Sequence, residues 1–96
     1  MVLEIAQLEI KPGTEAAFEA GVRQAEPLFL SSQGCTGFHL KKSVESPLKY
    51  RLFVEWATLE DHTVTFRESE SFTKWRELVQ DYFAVKPDVE HWESIL

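Results

Sequence analysis

One cysteine, four prolines and four glycines are all that this 96-residue chain holds of the residues that most constrain a backbone. A lone thiol excludes an internal disulfide, so Cys35 fits a reducing compartment and is expected to pack as a small hydrophobe after Gly34. No linker or low-complexity stretch interrupts the chain. No apolar run approaches the roughly 20 residues of a membrane span. The opening Met1-Val2-Leu3-Glu4-Ile5 has no basic region and does not read as a signal peptide. The expected location is the cytoplasm. Positive charge is scarce too: ten Lys and Arg stand against sixteen Asp and Glu, a formal net charge of −6. Without a Lys/Arg stripe to neutralise phosphates, neither nucleic acid nor an anionic membrane is an expected partner.

What is present is apolar and aromatic residue in helix and strand periods. At 12% aromatic the chain is too rich in rings for disorder, and its length suits one domain spanning residues 1–96. Val2 to Ile10 reads as a strand, broken by Lys11-Pro12-Gly13. Thr14 is placed to cap a helix whose face carries Phe18, Val22, Ala25 and Phe29, with Pro27 expected to bend or loosen its last turn. Gln33-Gly34 stops it. Cys35 to Val44 and Leu48 to Ala57 then form a hairpin. Phe38 and Leu40 share one face of its first strand, and Tyr50, Leu52, Val54 and Trp56 share one face of its second.

Thr58 with Asp61 makes a capping-box pair for a helix from Leu59 that breaks near Arg67-Glu68-Ser69. The helix restarts at Ser69 or Ser71 and runs to about Ala84. Val89 to Leu96 is the last strand. The order βαββαβ predicts an α+β, ferredoxin-like fold with an antiparallel sheet in the order 4-1-3-2 and both helices on one face. Phe53 interrupts the polar side formed by Arg51 and Glu55, and Leu3 and Ile5 lie opposite Val2, Leu8 and Ile10. A sheet with apolar groups on both faces needs a second cover, so the chain is expected to form a homodimer whose sheets pack face to face.

Lys11-Pro12-Gly13 after the first strand, Gly34-Cys35-x-Gly37-Phe38 opening the second and Glu55-Trp56 ending the third occur in this order and spacing. In these features, and over nearly its whole length, the chain resembles the antibiotic biosynthesis monooxygenase (ABM) family. The resemblance implies a dimeric α+β barrel. It also implies one of three activities or roles: oxidation of quinol or polycyclic aromatic compounds with O2 and neither metal nor flavin, haem degradation, or no established activity. Haem-degrading members use an Asn on the first strand, a Trp on the second helix and a His further on. Ala6 or Gln7, Phe66 and Arg76 stand there, which argues against haem degradation. Quinol-oxidising members often carry a His in mid-helix, near Phe66 here. His62, one turn earlier, is the nearest imidazole.

By their own chemistry, His62 could serve as a base near neutral pH and Arg67 could stabilise a developing oxyanion. Trp56, Phe66, Phe72 and Trp75 could line a slot for a flat aromatic molecule. Against that stands plain packing: Phe72 and Trp75 have the spacing of any buried helix face, Trp56 could cap the hairpin, and Arg67 could pair with Glu68 or Glu70. His39 and His91 fall on opposite edges of the expected sheet and so cannot easily meet each other in one chain. No cofactor is implied: His, Cys and carboxylates lack metal-ligand spacing, and no Gly-rich phosphate loop, nucleophile elbow or redox Cys pair occurs. Two readings stay open: a cofactor-free monooxygenase on an aromatic or quinol-type compound, and a non-catalytic dimer that binds a small ligand or a partner.

Overall fold

A computed structural model describes all residues 1–96. Its strands are β1 (Val2–Glu9), β2 (Cys35–Lys42), β3 (Lys49–Trp56) and β4 (Asp88–Trp92), and its long helices are α1 (Glu15–Leu30) and α2 (Glu70–Val79). The antiparallel sheet has the order β2-β3-β1-β4, which is the expected 4-1-3-2 read from its other edge. Period-2 alternation decides which side chains face the helices. On β1 these are Glu4, Ala6 and Leu8; on β3 they are Tyr50, Leu52, Val54 and Trp56, all buried. Phe18, Val22, Ala25 and Phe29 of α1 cover them, giving a core of fourteen buried apolar residues. Gly21 lets the two long helices close up, since a Cβ there would stand 2.8 Å from the Leu78 carbonyl oxygen.

Three stretches depart from the expected elements. The helix after Thr58 opens at Leu59 as foreseen, but residues Asp61–Phe66 wind as a π-helix, with the Arg67 N–H donating to the His62 carbonyl. Five residues at α pitch turn through about 500°, which would leave Asp61 and Phe66 roughly 140° apart. The wider π winding brings Asp61, His62 and Phe66 onto one buried side. Second, α2 ends at Val79 and tightens into a 3₁₀ turn, Gln80–Tyr82, so the helix does not reach Ala84. Phe83 then bridges to Ile10 and ties the segment to the end of β1. Third, β2 stops at Lys42 and β4 at Trp92, because pairing with β3 and β1 ends there. The first long helix continues through Pro27 to Leu30.

Two of the three caps read from the sequence are formed; Thr14 stands at the N-cap of α1, but its hydroxyl donates to the Lys11 carbonyl at 2.6 Å and caps no helix N–H. Asp61 N–H donates to Thr58 Oγ1 at 3.2 Å, and Thr58 N–H donates back to Asp61 Oδ2 at 3.1 Å. Ser69 caps α2 by accepting from the Phe72 N–H at 3.3 Å. Gly34 is the fixed point of this corner. Its φ of +79° suits glycine, and a Cβ there would fall 2.0 Å from Asp61 Oδ2. The Gly34 carbonyl also accepts from Ala57 N–H at 2.7 Å, so the exits of α1 and β3 and the start of the π segment are tied together.

Candidate functional site

The capped corner places His62 under the sheet, 3% exposed, with both ring nitrogens engaged. Its Nε2 lies 3.3 Å from Glu4 Oε1, and its Nδ1 lies 2.7 Å from Nε2 of His91. Glu4 and His91 are cross-strand partners on β1 and β4, so both point to the helix side of the sheet. The indole N–H of Trp56 donates to the same Glu4 Oε1 at 3.0 Å, and the indole stacks on the His62 ring at 5.3 Å between centroids and 16° between planes. The result is a string, Glu4–His62–His91, running from the interior to the edge strand. The His62–His91 link is a hydrogen bond and the Glu4–His62 link a close polar contact, and the three do not form a chelate, because His62 turns opposite nitrogens to its two neighbours. No three His, Cys, Asp or Glu side chains converge as metal ligands.

Burial governs the electrostatics of the string. Glu4 is 5% exposed, and desolvation raises its pKa from 4.5 to about 7 against the opposing pull of the Trp56 hydrogen bond and the Arg67 charge. Desolvation also lowers His62 from 6.5 to about 4, with His91 and Arg67 adding to the effect. His91 is shifted down by burial first and by Arg67 second. Burial disfavours the charged form of both partners, so the 3.3 Å approach of His62 Nε2 to Glu4 Oε1 sets two groups side by side that the site pushes towards neutrality.

The residues singled out from the sequence are brought close together. Arg67, itself exposed, stands near enough to His62, Glu4 and His91 to bias all three. Trp56 and Phe66 are 0% and 2% exposed, and Phe72 and Trp75 are half-buried against the same core. With Phe29 as a hub, 4.6 Å from Phe66 and 5.2 Å from Trp75 between centroids, these rings fill the space between sheet and helix. Two surface grooves lie elsewhere. One, of about 620 Å³, lies where Gln7, Arg51, Phe53 and Asp88 meet; the other, of about 340 Å³, lies between α1 and β2.

Two members of the string were not found from the sequence. Glu4 shares the helix-facing parity of Ala6 and Leu8, and a carboxylate at such a position was the available signal. His91 does not meet His39, as expected, but it does meet His62. Only the β1–β4 register, which sets His91 beside Glu4, reveals that contact.

Comparison with known proteins agrees with this architecture. The family model described as "Antibiotic biosynthesis monooxygenase" matches residues 1–78. A crystal structure from Bordetella bronchiseptica, assigned provisionally to antibiotic biosynthesis monooxygenase, superposes with a TM-score of 0.96 at 47% identity, covering 99% of this chain and 97% of that one. The uncharacterized protein YczJ of Bacillus subtilis (strain 168) is 42% identical over 95 residues, which cover 99% of this chain and all of YczJ. A more distant structure from Nitrosomonas europaea, at 20% identity and a TM-score of 0.87, shares the fold. The chain therefore belongs to the antibiotic biosynthesis monooxygenase family.

Proposed function

We propose that this protein is a cofactor-independent monooxygenase acting on a small aromatic or quinol-type compound in the cytoplasm. The observation that carries the reading is the buried imidazole–carboxylate string beside a guanidinium. Removing a proton from an aromatic hydroxyl leaves an electron-rich anion that can pass an electron to O2. That chemistry needs a base, an oxyanion partner and a dry aromatic surround. The His62 system supplies the base, Arg67 the counter-charge, and Trp56, Phe66, Phe72 and Trp75 the surround. The reading is tested by following O2 uptake in metal-stripped protein against a panel of quinols and polycyclic phenols. The expected outcome is turnover with at least one, cut about a hundredfold or more in His62→Ala. Unchanged turnover in that variant would remove His62 from the chemistry.

The second reading, a non-catalytic dimer that takes up an apolar ligand or partner, is favoured by one observation: the rings near His62 pack against one another, and the grooves on the outer sheet face and between α1 and β2 lie away from them. Ligand-dependent thermal shifts without product would support it. In either reading the protein works as a homodimer. The support is the sheet face turned from the helices, which carries Leu3, Ile5, Phe53 and the half-exposed Trp92.

A further inference from the structure

A neutral imidazole has one N–H and one lone pair, so the contacts of His62 can be satisfied in only two ways. In the first, Glu4 is a carboxylate, His62 Nε2–H donates to it, and His91 Nε2–H donates to His62 Nδ1. His91 Nδ1 then carries a free lone pair. In the second, Glu4 is a carboxylic acid donating to His62 Nε2, His62 Nδ1–H donates to His91 Nε2, and His91 Nδ1 carries a hydrogen. The heavy atoms need not move between the two.

We propose that Glu4, His62 and His91 form a proton relay whose terminal acceptor is His91 Nδ1 and whose store is the buried Glu4 carboxylate. The inference deepens the monooxygenase reading and rests on it for the identity of the proton donor. Its steps balance. A hydroxyl proton of an aromatic substrate goes to His91 Nδ1; the proton on His91 Nε2 moves to His62 Nδ1; the proton on His62 Nε2 moves to Glu4 Oε1. The substrate gains one negative charge and the string loses one. No imidazolium forms at rest at either end of the transfer, which suits a site where burial holds His62 near 4 and lifts Glu4 to about 7. His62, with both nitrogens engaged and 3% exposed, is a positioning residue that conducts the proton. His91, less deeply buried on the edge strand, is the group that would touch substrate.

The groups able to disturb the relay are few. Arg67 favours the carboxylate from beyond the π segment. Cys35, its thiol pKa raised first by its own burial, also registers the charges of Glu4 and Glu55. Asp61, beside His62 in sequence, is turned to Gln33 and Thr58.

Nitrogen-15 NMR of histidine-labelled protein, with carbon-13 observation of the Glu4 carboxyl, tests the relay without any substrate. Between pH 8 and pH 5 the expected result is one joint titration near pH 7. The Glu4 carboxyl protonates while His62 passes from the Nε2–H to the Nδ1–H tautomer and stays neutral. Imidazolium at His62 or His91 with Glu4 still ionised would overturn it. In Glu4→Gln the joint step is expected to vanish; its survival would overturn the assignment of Glu4 as store. Because neither readout needs turnover, failure here leaves the monooxygenase reading standing. Once a substrate is in hand, Glu4→Gln and His91→Gln should lower kcat about a hundredfold with KM within about threefold and abolish the limb of the pH profile near 7. Retention of that limb in His91→Gln would remove His91 as acceptor.

Discussion

Glu4 and His62 pull the stability of the protein in opposite directions as pH changes. His62 titrates at 6.5 when unfolded and at about 4 when folded, so its contribution is complete above pH 6.5 and is lost as pH falls towards 4. Glu4 titrates at 4.5 unfolded and about 7 folded, so its contribution is complete below pH 4.5 and is lost as pH rises towards 7. Between pH 4.5 and 6.5 the two slopes oppose each other and are expected to cancel largely in the native protein. Glu4→Gln removes one of them. Urea unfolding of that variant should show stability rising with pH between about 4 and 6.5, by up to roughly 3 kcal/mol. A flat profile in the variant would mean that His62 is not held neutral by its surroundings.

At the scale of elements, the corner of Gly34, Thr58 and Asp61 decides where His62 stands. An alanine at 34 must adopt φ near +79° and push the Asp61 carboxylate away, which breaks its hydrogen bonds from Thr58 N–H and the Gln33 amide. Gly34→Ala is expected to cost about 2–4 kcal/mol in denaturant unfolding. A loss below about 1 kcal/mol would show that the corner yields easily. Much of this corner was readable from sequence, because caps and hairpins are local. Thr58 and Asp61 lie three residues apart, Ser69 sits just ahead of its helix, and the hairpin faces follow from alternation alone. The π winding was not readable, since the sequence from Asp61 to Phe66 suits an α turn equally well and the choice is made by packing against Gly34 and the core. Glu4–His62–His91 was hidden for a related reason. Its members are 58 and 29 positions apart, and only the completed sheet brings them into line.

For the molecule as a whole, the proposed homodimer rests on the apolar outer sheet face. Phe53 sits at its centre, paired with Ile5 on one side and His39 on the other. Sedimentation at micromolar concentration should give twice the 11.1 kDa of one chain, and Phe53→Glu should return the protein to single chains by placing a charge in the proposed apolar contact. A native protein that sediments as single chains would leave this face without a partner.

The π turn has one more consequence, and it concerns how relatives are compared. A turn closed by i to i+5 bonds holds one residue more than an α turn over the same span. A relative whose second helical region is regular there can be matched to this chain only by opening a gap within 61–66. Column-by-column transfer of roles that is anchored on the first three strands and lacks that gap slips by one residue on crossing the segment, and Arg67 is among the positions it would mislabel.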